Sequence, residues 1–407
     1  MRILYAVHQF FPTHYTGTER FILNLARQMH IMGHTPRVFT YETAEMFGIG
    51  QSDSMIRKCY NYQGLSVISV KHKIIPPKID FSIYDQEIEA VMKDILSKEP
   101  FDILHVGHPM RNGSVIKEAK KRNIPVVLTL TDFWLMCPRI IAVAKNRRLC
   151  SGPNEGKSCS SNCYEDLIQE EVSQRFKEAK DLLKSVDVIC SPTHFLGDIF
   201  EDVFGVEVQV VRHGIQYSDI HSGKRKYKRE NRVVFGYIGT ILPHKGVHII
   251  LSALSYMNSK DINIKIYGNY FGEKDYYDYL INMVRGDNRV QFLGEYKDED
   301  LSDIISGIDC MLVPSLWWEN SPLTVLTSLA YKVPVITINM GGAAELVKNG
   351  VNGFNFEIGN PKDLAEKMMA IASNPLILDE IKENIIRPPR VEEEAFIYEG
   401  LYRSLSS

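Results

Sequence analysis

Residues 232–254 read RVVFGYIGTILPHKGVHIILSAL and contain the pattern that recurs through the chain. The first part is rich in β-branched and aromatic residues and predicts a strand. The segment from Gly239 to Gly246 predicts a loop, and the apolar residues after it predict a helix. Because polar and apolar residues do not alternate in the strand, it is typical of a parallel strand that is buried on both faces. The stretch therefore predicts one strand–helix unit of a doubly wound α/β sheet.

This strand–loop–helix pattern occurs in two series. The first series contains strands predicted at 2–7, 36–41, 102–106, 125–130 and 186–190. The second series contains strands predicted at 233–239, 262–268, 289–294, 308–314 and 333–338. The two series predict two doubly wound, Rossmann-like α/β domains, which we expect to face each other across a ligand-binding cleft.

The boundary between these domains is expected near residue 212. We assign residues 1–212 to the first domain and residues 213–387 to the second. Residues 217–232 read YSDIHSGKRKYKRENR, a basic run that is typical of an exposed linker, with a patch for membranes or nucleic acid as the alternative. Residues 388–407 carry a helical stripe of apolar residues, so we expect a terminal helix that could pack back on the first domain.

Length and composition bound the class of protein. A chain of 407 residues is long enough for two domains of about 150 to 200 residues each. The formal net charge is -3, so no excess of positive charge would attract nucleic acid. The amino terminus, MRILYAVHQFFP, suits a strand better than a secretory signal, and there is no run of about 18 apolar residues. The seven cysteines do not resemble a secreted disulfide framework, so we expect a cytoplasmic protein.

The first predicted helix has recognisable ends. Thr18 can cap its amino terminus, and the helix is expected to run to Met32. Gly33 fits the left-handed position that ends a helix. Gly17, directly before the helix, would let the backbone approach a bound diphosphate.

Residues 317–334, WWENSPLTVLTSLAYKVP, follow a predicted strand of the second domain. Ser321 and Pro322 predict a helix start, because serine caps free N–H groups and proline suits the first helical position. This helix should run to about Tyr331, and its amino terminus would offer N–H groups and a positive dipole end to phosphate or sugar hydroxyls. Glu319 precedes that terminus, where a carboxylate could contact a ligand or simply complement the helix dipole.

Two further loops are expected at the same edge of this sheet, because parallel strands end there together. Thr240 and Lys245 follow the first strand of the domain, and an ammonium group could neutralise a diphosphate there without a metal ion. Gly341 and Gly342 follow another strand and would let the backbone approach a ligand closely, or form a plain tight turn. Three such loops on one rim predict a site for a phosphorylated ligand.

The order of these motifs resembles the large family 4 of retaining glycosyltransferases, which have the GT-B fold. The motifs are Lys-Gly in PHKGVH, Glu-x-Ser-Pro in PSLWWENSPL, and Gly-Gly followed by Glu-Leu-Val and Asn-Gly-Phe in MGGAAELVKNGVNGF. The likeness covers nearly the whole chain, because MRILYAVHQFFP and TGTERFILNLARQMHIMGH resemble the family's opening strand, glycine loop and first helix. It implies a UDP- or GDP-sugar donor held mainly by the second domain, an acceptor held mainly by the first, and no cofactor required for catalysis.

The resemblance also implies roles for individual residues. Catalytic roles fall to Lys245, Glu319 and Asp132. The implied donor-binding residues are Gly17, Thr240, Lys245, Glu319, Asn320, Ser321, Leu323, Thr324, Thr327 and Tyr296. We expect the acceptor to contact His108 and Asp132, each of which follows a strand of the first domain.

The chain departs from the family pattern at three threonines. Thr327 stands where relatives carry a second glutamate, which binds the ribose hydroxyls, and its loss should weaken donor binding by about 1–3 kcal/mol. Thr240 and Thr131 stand where relatives often carry an arginine on the diphosphate and a histidine beside the donor sugar. These departures leave open a catalytically weak relative that binds a nucleotide or glycan and supports a partner transferase. A phosphorylase or epimerase on the same fold is a further alternative.

An irregular segment of the first domain contains four cysteines: Cys137, Cys150, Cys159 and Cys163. Four thiols could bind a structural zinc ion tetrahedrally. Their spacing is not the paired C-x-x-C pattern, so disulfides or unligated thiols are alternatives. Arginines of the same segment could meet anionic lipid headgroups or an acceptor phosphate, namely Arg139, Arg147 and Arg148.

The expected function is therefore that of a retaining glycosyltransferase. It would move a hexose from a nucleoside diphosphate sugar to a saccharide, such as a lipid-linked or cell-surface glycan under construction. With a lipid-linked acceptor, the protein would also contact the inner face of the membrane. The resemblance implies that the leaving diphosphate itself takes the acceptor proton, so the protein would contribute positioning and charge stabilisation.

Overall fold

The chain forms two compact units, each with its own sheet. The first unit combines Met1–Gly214 with Val391–Ser407, and the second is Ile215–Arg390. In this computed structural model the described residues are 1–43, 49–50, 54–145, 150–163, 168–217, 226–228, 230, 232–258 and 262–406. Much of the basic run at 217–232 lies outside them, as do Arg147 and Arg148.

Nine strands form the sheet of the first unit. They are β1 (Arg2–Val7), β2 (Thr35–Tyr41), β3 (Ile49–Gly50), β4 (Met55–Tyr62), β5 (Leu65–His72), β6 (Ile103–Val106), β7 (Val126–Thr129), β8 (Val188–Ser191) and β9 (Gln209–Val210). Their order across the sheet is β3-β4-β5-β2-β1-β6-β7-β8-β9. Strand β1 pairs in parallel with β2 on one side and β6 on the other. The winding therefore reverses beside β1, and ligands of such sheets bind outside the carboxyl ends of the strands at this point.

Strands β4 and β5 form an antiparallel hairpin, which the sequence interpretation did not include. Gln63 and Gly64 connect them, with positive φ angles of 47° and 87°. Two positive φ angles in succession are typical of the type I′ turn, whose twist matches that of the flanking strands. Gln-Gly is a weaker turn signal than Asn-Gly, so the hairpin is hard to recognise in the sequence.

Six strands form the sheet of the second unit. They are β10 (Val233–Ile238), β11 (Ile262–Tyr267), β12 (Val290–Gly294), β13 (Cys310–Val313), β14 (Val335–Ile338) and β15 (Gly353–Phe356). The order is β12-β11-β10-β13-β14-β15, and all these neighbours pair in parallel. The prediction of two Rossmann-like α/β domains is confirmed.

Helices cover the faces of both sheets. The first unit contains α1 (Gly17–Ile31), α2 (Gln86–Lys98), α3 (Gly113–Lys120), α4 (Lys157–Asn162), α5 (Gln169–Ser185) and α6 (His194–Phe204). The second unit contains α7 (Val247–Ala253), α8 (Lys274–Met283), α9 (Leu301–Ser306), α10 (Leu323–Ala330), α11 (Gly341–Leu346), α12 (Pro361–Ser373) and α13 (Ile377–Asn384). The final helix is α14 (Val391–Ser406). Within the described ranges, none of the helices combines the length and the apolar character needed to cross a bilayer.

Helix α1 begins slightly earlier than predicted. Thr16, with extended backbone angles, occupies the N-cap position, and Thr18 lies inside the first turn. The prediction that Thr18 caps the helix is therefore wrong, because Gly17 already has helical geometry. The Thr16 hydroxyl donates instead to Oε2 of Glu19 at 2.6 Å. Gly33 has a φ of 86° and follows the helix end in the predicted left-handed conformation.

Helix α14 returns to the first unit and packs on its core. Tyr398 and Tyr402 are fully buried there. The Tyr398 hydroxyl lies 2.9 Å from Oγ1 of Thr129, and the Tyr402 hydroxyl hydrogen-bonds Nδ1 of His105. His105 is therefore a packed residue that joins β6 to the terminal helix.

Candidate active site

The rim of the second sheet brings together the loops that follow three neighbouring strands. Lys245 ends a short 3-10 turn, Pro243–Lys245, after β10. Glu319 follows β13, and Gly341 follows β14. Because β10, β13 and β14 are adjacent and parallel, their carboxyl ends lie side by side. The structure thus places the three predicted loops at the same edge of the sheet, because the strands that precede them are neighbours.

Glu319 lies at the centre of this rim and is 7% exposed. Its Oε1 atom is 2.6 Å from Nζ of Lys245, and it also accepts hydrogen bonds from the Ser315 hydroxyl at 2.7 Å and the Trp317 indole at 2.9 Å. Burial by itself would raise the pKa of Glu319, but the Lys245 ammonium and these hydrogen bonds lower the pKa below its ordinary value. Glu319 is therefore ionised at neutral pH, and the ion pair is ready formed.

The loops of Lys245 and Glu319 are held together by their backbones. The carbonyl of His244 accepts the N–H of Leu316 at 2.8 Å. Gly246 has a φ of 76°, and a Cβ atom there would lie 2.0 Å from the carbonyl oxygen of Pro314. Glycine is thus required at 246 by both backbone angle and space. The close approach fixes the Lys245 stem, whose ammonium lies 5.0 Å from the centre of the Trp317 ring.

The Gly341–Gly342 pair packs against the chain itself. Gly341 has a φ of 74°, and a Cβ there would lie 2.8 Å from the carbonyl oxygen of Glu319. The N–H of Gly342 donates to that same oxygen at 2.8 Å. The sequence predicted that these glycines either allow a ligand to approach the backbone or form a plain tight turn. In the structure, the backbone of Glu319 is the group that lies against them. Their effect is to hold the Glu319 loop from the other side.

Comparison with known proteins identifies the family. Residues 15–218 match the family model described as Glycosyltransferase Family 4, and residues 220–387 match the one described as Glycosyl transferases group 1. This chain belongs to glycosyltransferase family 4. It is a glycosyltransferase of GT-B type that uses nucleotide sugars.

Individual relatives support this placement. The uncharacterized glycosyltransferase MJ1178 of Methanocaldococcus jannaschii is 28% identical over 296 residues, which cover 72% of this chain and 71% of the relative. The capsular polysaccharide biosynthesis glycosyltransferase CapM of Staphylococcus aureus is 30% identical over 184 residues, covering 42% of this chain and 47% of CapM. Among solved structures, Anabaena HepE in complex with UDP has a TM-score of 0.68 at 17% identity, covering 99% of this chain and 100% of HepE.

In this glycosyltransferase the helix after Glu319 starts later than predicted. Helix α10 begins at Leu323, and Pro322 occupies the N-cap position with no side-chain cap. The prediction that Ser321 caps the helix is therefore wrong. The reason is that the Pro322 carbonyl accepts the N–H groups of Val325 and Leu326, which moves the start of the helix beyond Ser321.

The hydroxyls of two predicted donor-binding threonines donate to backbone carbonyls. The Thr324 hydroxyl donates to the Ile238 carbonyl at 3.0 Å and ties α10 to the end of β10. The Thr327 hydroxyl donates to the Leu323 carbonyl at 2.7 Å, one turn earlier in the same helix. Thr327 is half-buried. Because its proton is used within the helix, Thr327 can offer a ribose hydroxyl an acceptor but no donor.

The other residues assigned to donor binding have varied surroundings. Asn320 is 3% exposed beside Glu319. Leu323 and Tyr296 pack partly buried against an apolar cluster of the second unit. Thr240 lies just after β10, where its carbonyl accepts the Tyr237 hydroxyl at 2.7 Å. The remaining one, Gly17, belongs to the first unit and is the first residue of α1.

In the first unit, His108 and Asp132 form the pair that the sequence placed near the acceptor. Nδ1 of His108 is 3.1 Å from the Met110 N–H and accepts it, so Nε2 carries the proton and donates to Oδ2 of Asp132 at 3.0 Å. Oδ1 of Asp132 accepts the Trp134 N–H at 2.8 Å. His108 is 1% exposed, whereas the Asp132 side chain is 17% exposed. Asp132 is the member of the pair that solvent can reach.

Two residues beside this pair were missed by sequence reasoning. The His8 ring lies 4.0 Å from the His108 ring, and its Nε2 atom is 3.6 Å from Oε1 of Glu19. Glu19 is fully buried, and among the described residues neither its Oε1 nor Nδ1 of His8 has a hydrogen-bond partner. Burial first, then His108 and Arg111, lowers the pKa of His8 well below its ordinary value, so the ring is neutral. The signal in the sequence was the position of His8, directly after the first strand.

The four cysteines of the irregular segment line one small cavity of about 10 Å³. They are Cys137, Cys150, Cys159 and Cys163. None of the described cysteines forms a disulfide. Across the part of the chain that the structure covers, no group of three or more histidine, cysteine or acidic side chains could hold a metal ion, so the zinc prediction is not supported. Burial raises the pKa of Cys137 to about 11 and of Cys159 to about 12, and both are neutral thiols at pH 7.

Proposed function

We propose that this family 4 enzyme transfers a hexose from a UDP- or GDP-sugar to a saccharide or lipid-linked glycan, with retention of configuration at the sugar. The proposal includes a cytoplasmic location at the inner face of the membrane. Relatives support the donor class, since HepE was solved in complex with UDP and glucose. The name of CapM, capsular polysaccharide biosynthesis glycosyltransferase, supports a saccharide acceptor.

The observation that carries the proposal is the Lys245–Glu319 pair. A lysine ammonium in a partly buried rim can neutralise the two phosphates of a sugar nucleotide without a metal ion. Glu319, ionised and fixed by Ser315 and Trp317, can accept hydrogen bonds from the hydroxyls of the transferred sugar. The pair would therefore hold both ends of the bond that breaks, the diphosphate on Lys245 and the hexose on Glu319.

Retention then follows from where the proton goes. As the bond from the hexose to the diphosphate breaks, the leaving diphosphate gains negative charge, which Lys245 stabilises. An oxygen of this diphosphate takes the proton of the attacking acceptor hydroxyl on the same face of the sugar. In the first unit, Asp132 is the accessible carboxylate that could hold the acceptor, with His108 fixing its orientation. The protein would supply position and charge rather than a nucleophile.

A weakly catalytic relative that binds a nucleotide is the second candidate function. It is favoured by Thr327, whose hydroxyl is already hydrogen-bonded to Leu323. A ribose that meets one neutral acceptor instead of a carboxylate should bind about ten- to a hundredfold more weakly. On this alternative the protein would bind sugar nucleotides without turning them over.

Nucleotide release separates the two candidates. The purified protein is incubated with UDP-, GDP- and ADP-sugars, with and without saccharide acceptors, and the released nucleotide is measured. We expect release with one base, and a loss of at least a hundredfold in Lys245→Ala. Lys274→Ala is the matched control, because Lys274 is exposed and pairs with Asp278 in the same unit. Unchanged turnover in Lys245→Ala would refute the assigned role, and binding without turnover would favour the second candidate.

A further inference from the structure

A histidine that has no part in the proposed mechanism, His244, lies beside the Lys245–Glu319 pair. It is the middle residue of the turn Pro243–Lys245 and directly precedes Lys245. Its ring centre lies 6.2 Å from that of Trp317, and the two rings are nearly perpendicular, at 87°. This edge-to-face arrangement is a favourable contact between aromatic rings. His244 therefore packs against the same indole that donates to Glu319.

The backbone of His244 is fixed, while its side chain stays accessible. The His244 carbonyl accepts the N–H of Leu316 at 2.8 Å, which ties the turn to the loop after β13. The side chain itself is half-buried. Among the described residues, neither ring nitrogen of His244 has a hydrogen-bond partner. Both nitrogens are thus available to a ligand at this edge of the sheet.

The Lys245–Glu319 pair carries no net charge. Nζ of Lys245 lies 2.6 Å from Oε1 of Glu319, and the carboxylate is ionised. A sugar nucleotide carries a negative charge on each phosphate of its diphosphate, whereas the Lys245 ammonium is already shared with Glu319. Negative charge that is not compensated is costly in a partly buried site. A further positive charge beside the pair would therefore strengthen the binding of a diphosphate.

His244 is the adjacent group whose charge can change. Burial first, and then the Lys245 ammonium of the same turn, lowers the pKa of His244 to about 4, while the Glu319 carboxylate on the loop after β13 acts in the opposite direction. The ring is therefore neutral at pH 7 in the free protein. An adjacent negative charge raises the pKa of a histidine, so a diphosphate beside the ring would favour the imidazolium form.

We propose that His244 is a further binding residue for the diphosphate of the donor: it takes up a proton from solvent when the sugar nucleotide binds, and it donates an N–H to a phosphate oxygen. The inference rests on the proposed function, because it concerns the same donor site. The protonated ring supplies the positive charge that the Lys245–Glu319 pair lacks, and the contact with Trp317 keeps the ring oriented. Because binding takes up a proton, affinity for the donor should rise as the pH falls.

The test is isothermal titration of the full chain with UDP-glucose and GDP-glucose, whose diphosphates keep their charge between pH 5.5 and pH 7.5. At pH 6.5 the heat of binding is measured in PIPES and in bis-Tris, since the difference between the buffers gives the number of protons taken up. We expect about half a proton per bound donor, as for a bound ring that titrates near 6.5. Affinity should be about tenfold higher at pH 5.5 than at pH 7.5. Glu319 stays ionised over this range, because its pKa is lowered.

Two variants separate the charge of His244 from its packing. His244→Phe keeps a ring against Trp317 without a titratable nitrogen, and His244→Gln keeps a neutral N–H donor. Both should lose the proton uptake and the gain in affinity at pH 5.5, while His244→Gln should bind within about threefold of the wild type at pH 7.5. His248→Phe is the matched control, because His248 lies on α7 with Nδ1 2.8 Å from the Tyr276 hydroxyl, and it should keep both effects. Denaturant titration checks that each variant is folded.

Each outcome decides the inference. Donor binding without proton uptake in the wild type, or uptake that persists in both His244 variants, would overturn it and leave the proposed function standing. Absence of donor binding by the wild type would refute the donor assignment and the inference together. Nucleotide release is measured on the same samples. Binding with proton uptake but without release would refute the proposed transfer and leave the role of His244 standing.

Discussion

The rims of the two units differ in how their buried charges are satisfied. In the second unit, Glu319 accepts hydrogen bonds from three donors, including Lys245, and two glycine turns hold its loop. In the first unit, Glu19 is fully buried, yet Oε1 has no hydrogen-bond partner in the described residues and lies 3.6 Å from His8. One of these edges is thus organised in advance around a charge, whereas the other keeps a buried carboxylate oxygen without a hydrogen-bond partner among the described residues.

This difference has an energetic meaning. A group held in place before the ligand arrives costs no reorganisation when charge develops on the ligand. A buried polar atom without a partner costs about 1–3 kcal/mol of folding free energy. The edge of the second sheet therefore has its buried charge satisfied before any ligand binds, whereas Glu19 in the first unit leaves one oxygen unsatisfied within the described residues.

The largest effect is expected from Gly246→Ala. The added Cβ would meet the Pro314 carbonyl oxygen at 2.0 Å, and the left-handed backbone disfavours any side chain. We expect a loss of roughly 3–5 kcal/mol in the free energy of unfolding, measured by denaturant titration. Gly286→Ala is the control, since Gly286 has a φ of 87° in open space and should lose about 1 kcal/mol. Equal losses of stability in the two variants would show that the loop of Gly246 and the loop of Pro314 are not in close contact.

The next effect is expected from Lys245→Met, which removes the ammonium beside Glu319. At neutral pH it should cost roughly 2–3 kcal/mol of stability, less than for a fully buried pair because the Lys245 side chain is 26% exposed. In the wild type the pKa of Glu319 is lowered, so its contribution is present at neutral pH and is lost as pH falls through that pKa. In the variant, burial without the ammonium should raise this pKa, so the deficit should grow with rising pH. Unfolding at pH 4 and pH 7 tests the sign, and a constant deficit would contradict it.

Thr327→Glu places a second carboxylate, besides Glu319, near the loops of the second sheet where the sugar nucleotide is proposed to bind. We expect nucleotide affinity to rise about tenfold, because charge-assisted hydrogen bonds to the ribose replace one neutral bond. Thr327→Gln, which has the same shape without the charge, should gain less. Isothermal titration with UDP and GDP measures both variants. No change in Thr327→Glu would mean that the ribose binds elsewhere.

The smallest effect is expected from Glu19→Gln. Because Oε1 of Glu19 has no partner in the described part of the first unit, removing the charge should change the free energy of unfolding by less than about 1 kcal/mol. Glu118→Gln is the comparison, since Glu118 is 2% exposed and pairs with Arg122 at 2.7 Å and with Lys121. That variant should lose about 1–2 kcal/mol. If Glu19→Gln lost more free energy of unfolding than Glu118→Gln, the Glu19 carboxylate would have to be well satisfied by hydrogen bonds, contrary to this prediction.

Sequence patterns predicted the strands well and the local turns less well. All ten predicted strands correspond to strands of the structure, because continuous β-branched runs between helices favour buried parallel strands. The β4–β5 hairpin was missed, because its Gln63-Gly64 turn carries a weak signal. The caps at Thr18 and Ser321 were wrong by one or two residues, since the exact start of a helix depends on which carbonyl the first N–H groups reach.

The candidate site could be predicted where it follows from strand order. Lys245 and Glu319 lie 74 residues apart, and the adjacency of β10 and β13 brings them together. The His8–Glu19 contact could not be predicted, because the distance between two side chains near a strand end depends on the packing of α1 against the sheet. The zinc prediction was not supported for a related reason: the four thiols line one cavity, but spacing along the chain does not decide whether they reach the arrangement that a metal ion needs, and among the described residues they do not.

The sequence by itself determined the two series of buried strands, and with them the two Rossmann-like domains and the family, because hydrophobic periodicity and glycine or proline positions act over a few residues. Only the tertiary structure decided that Lys245 neutralises Glu319, that Gly246 and Gly341 serve the backbone beside that pair, and that Glu19 lies buried with an oxygen unpaired in the described region. These are properties of atoms brought within a few ångströms by packing. No local pattern specifies such distances, because they depend on how distant segments meet in the folded chain.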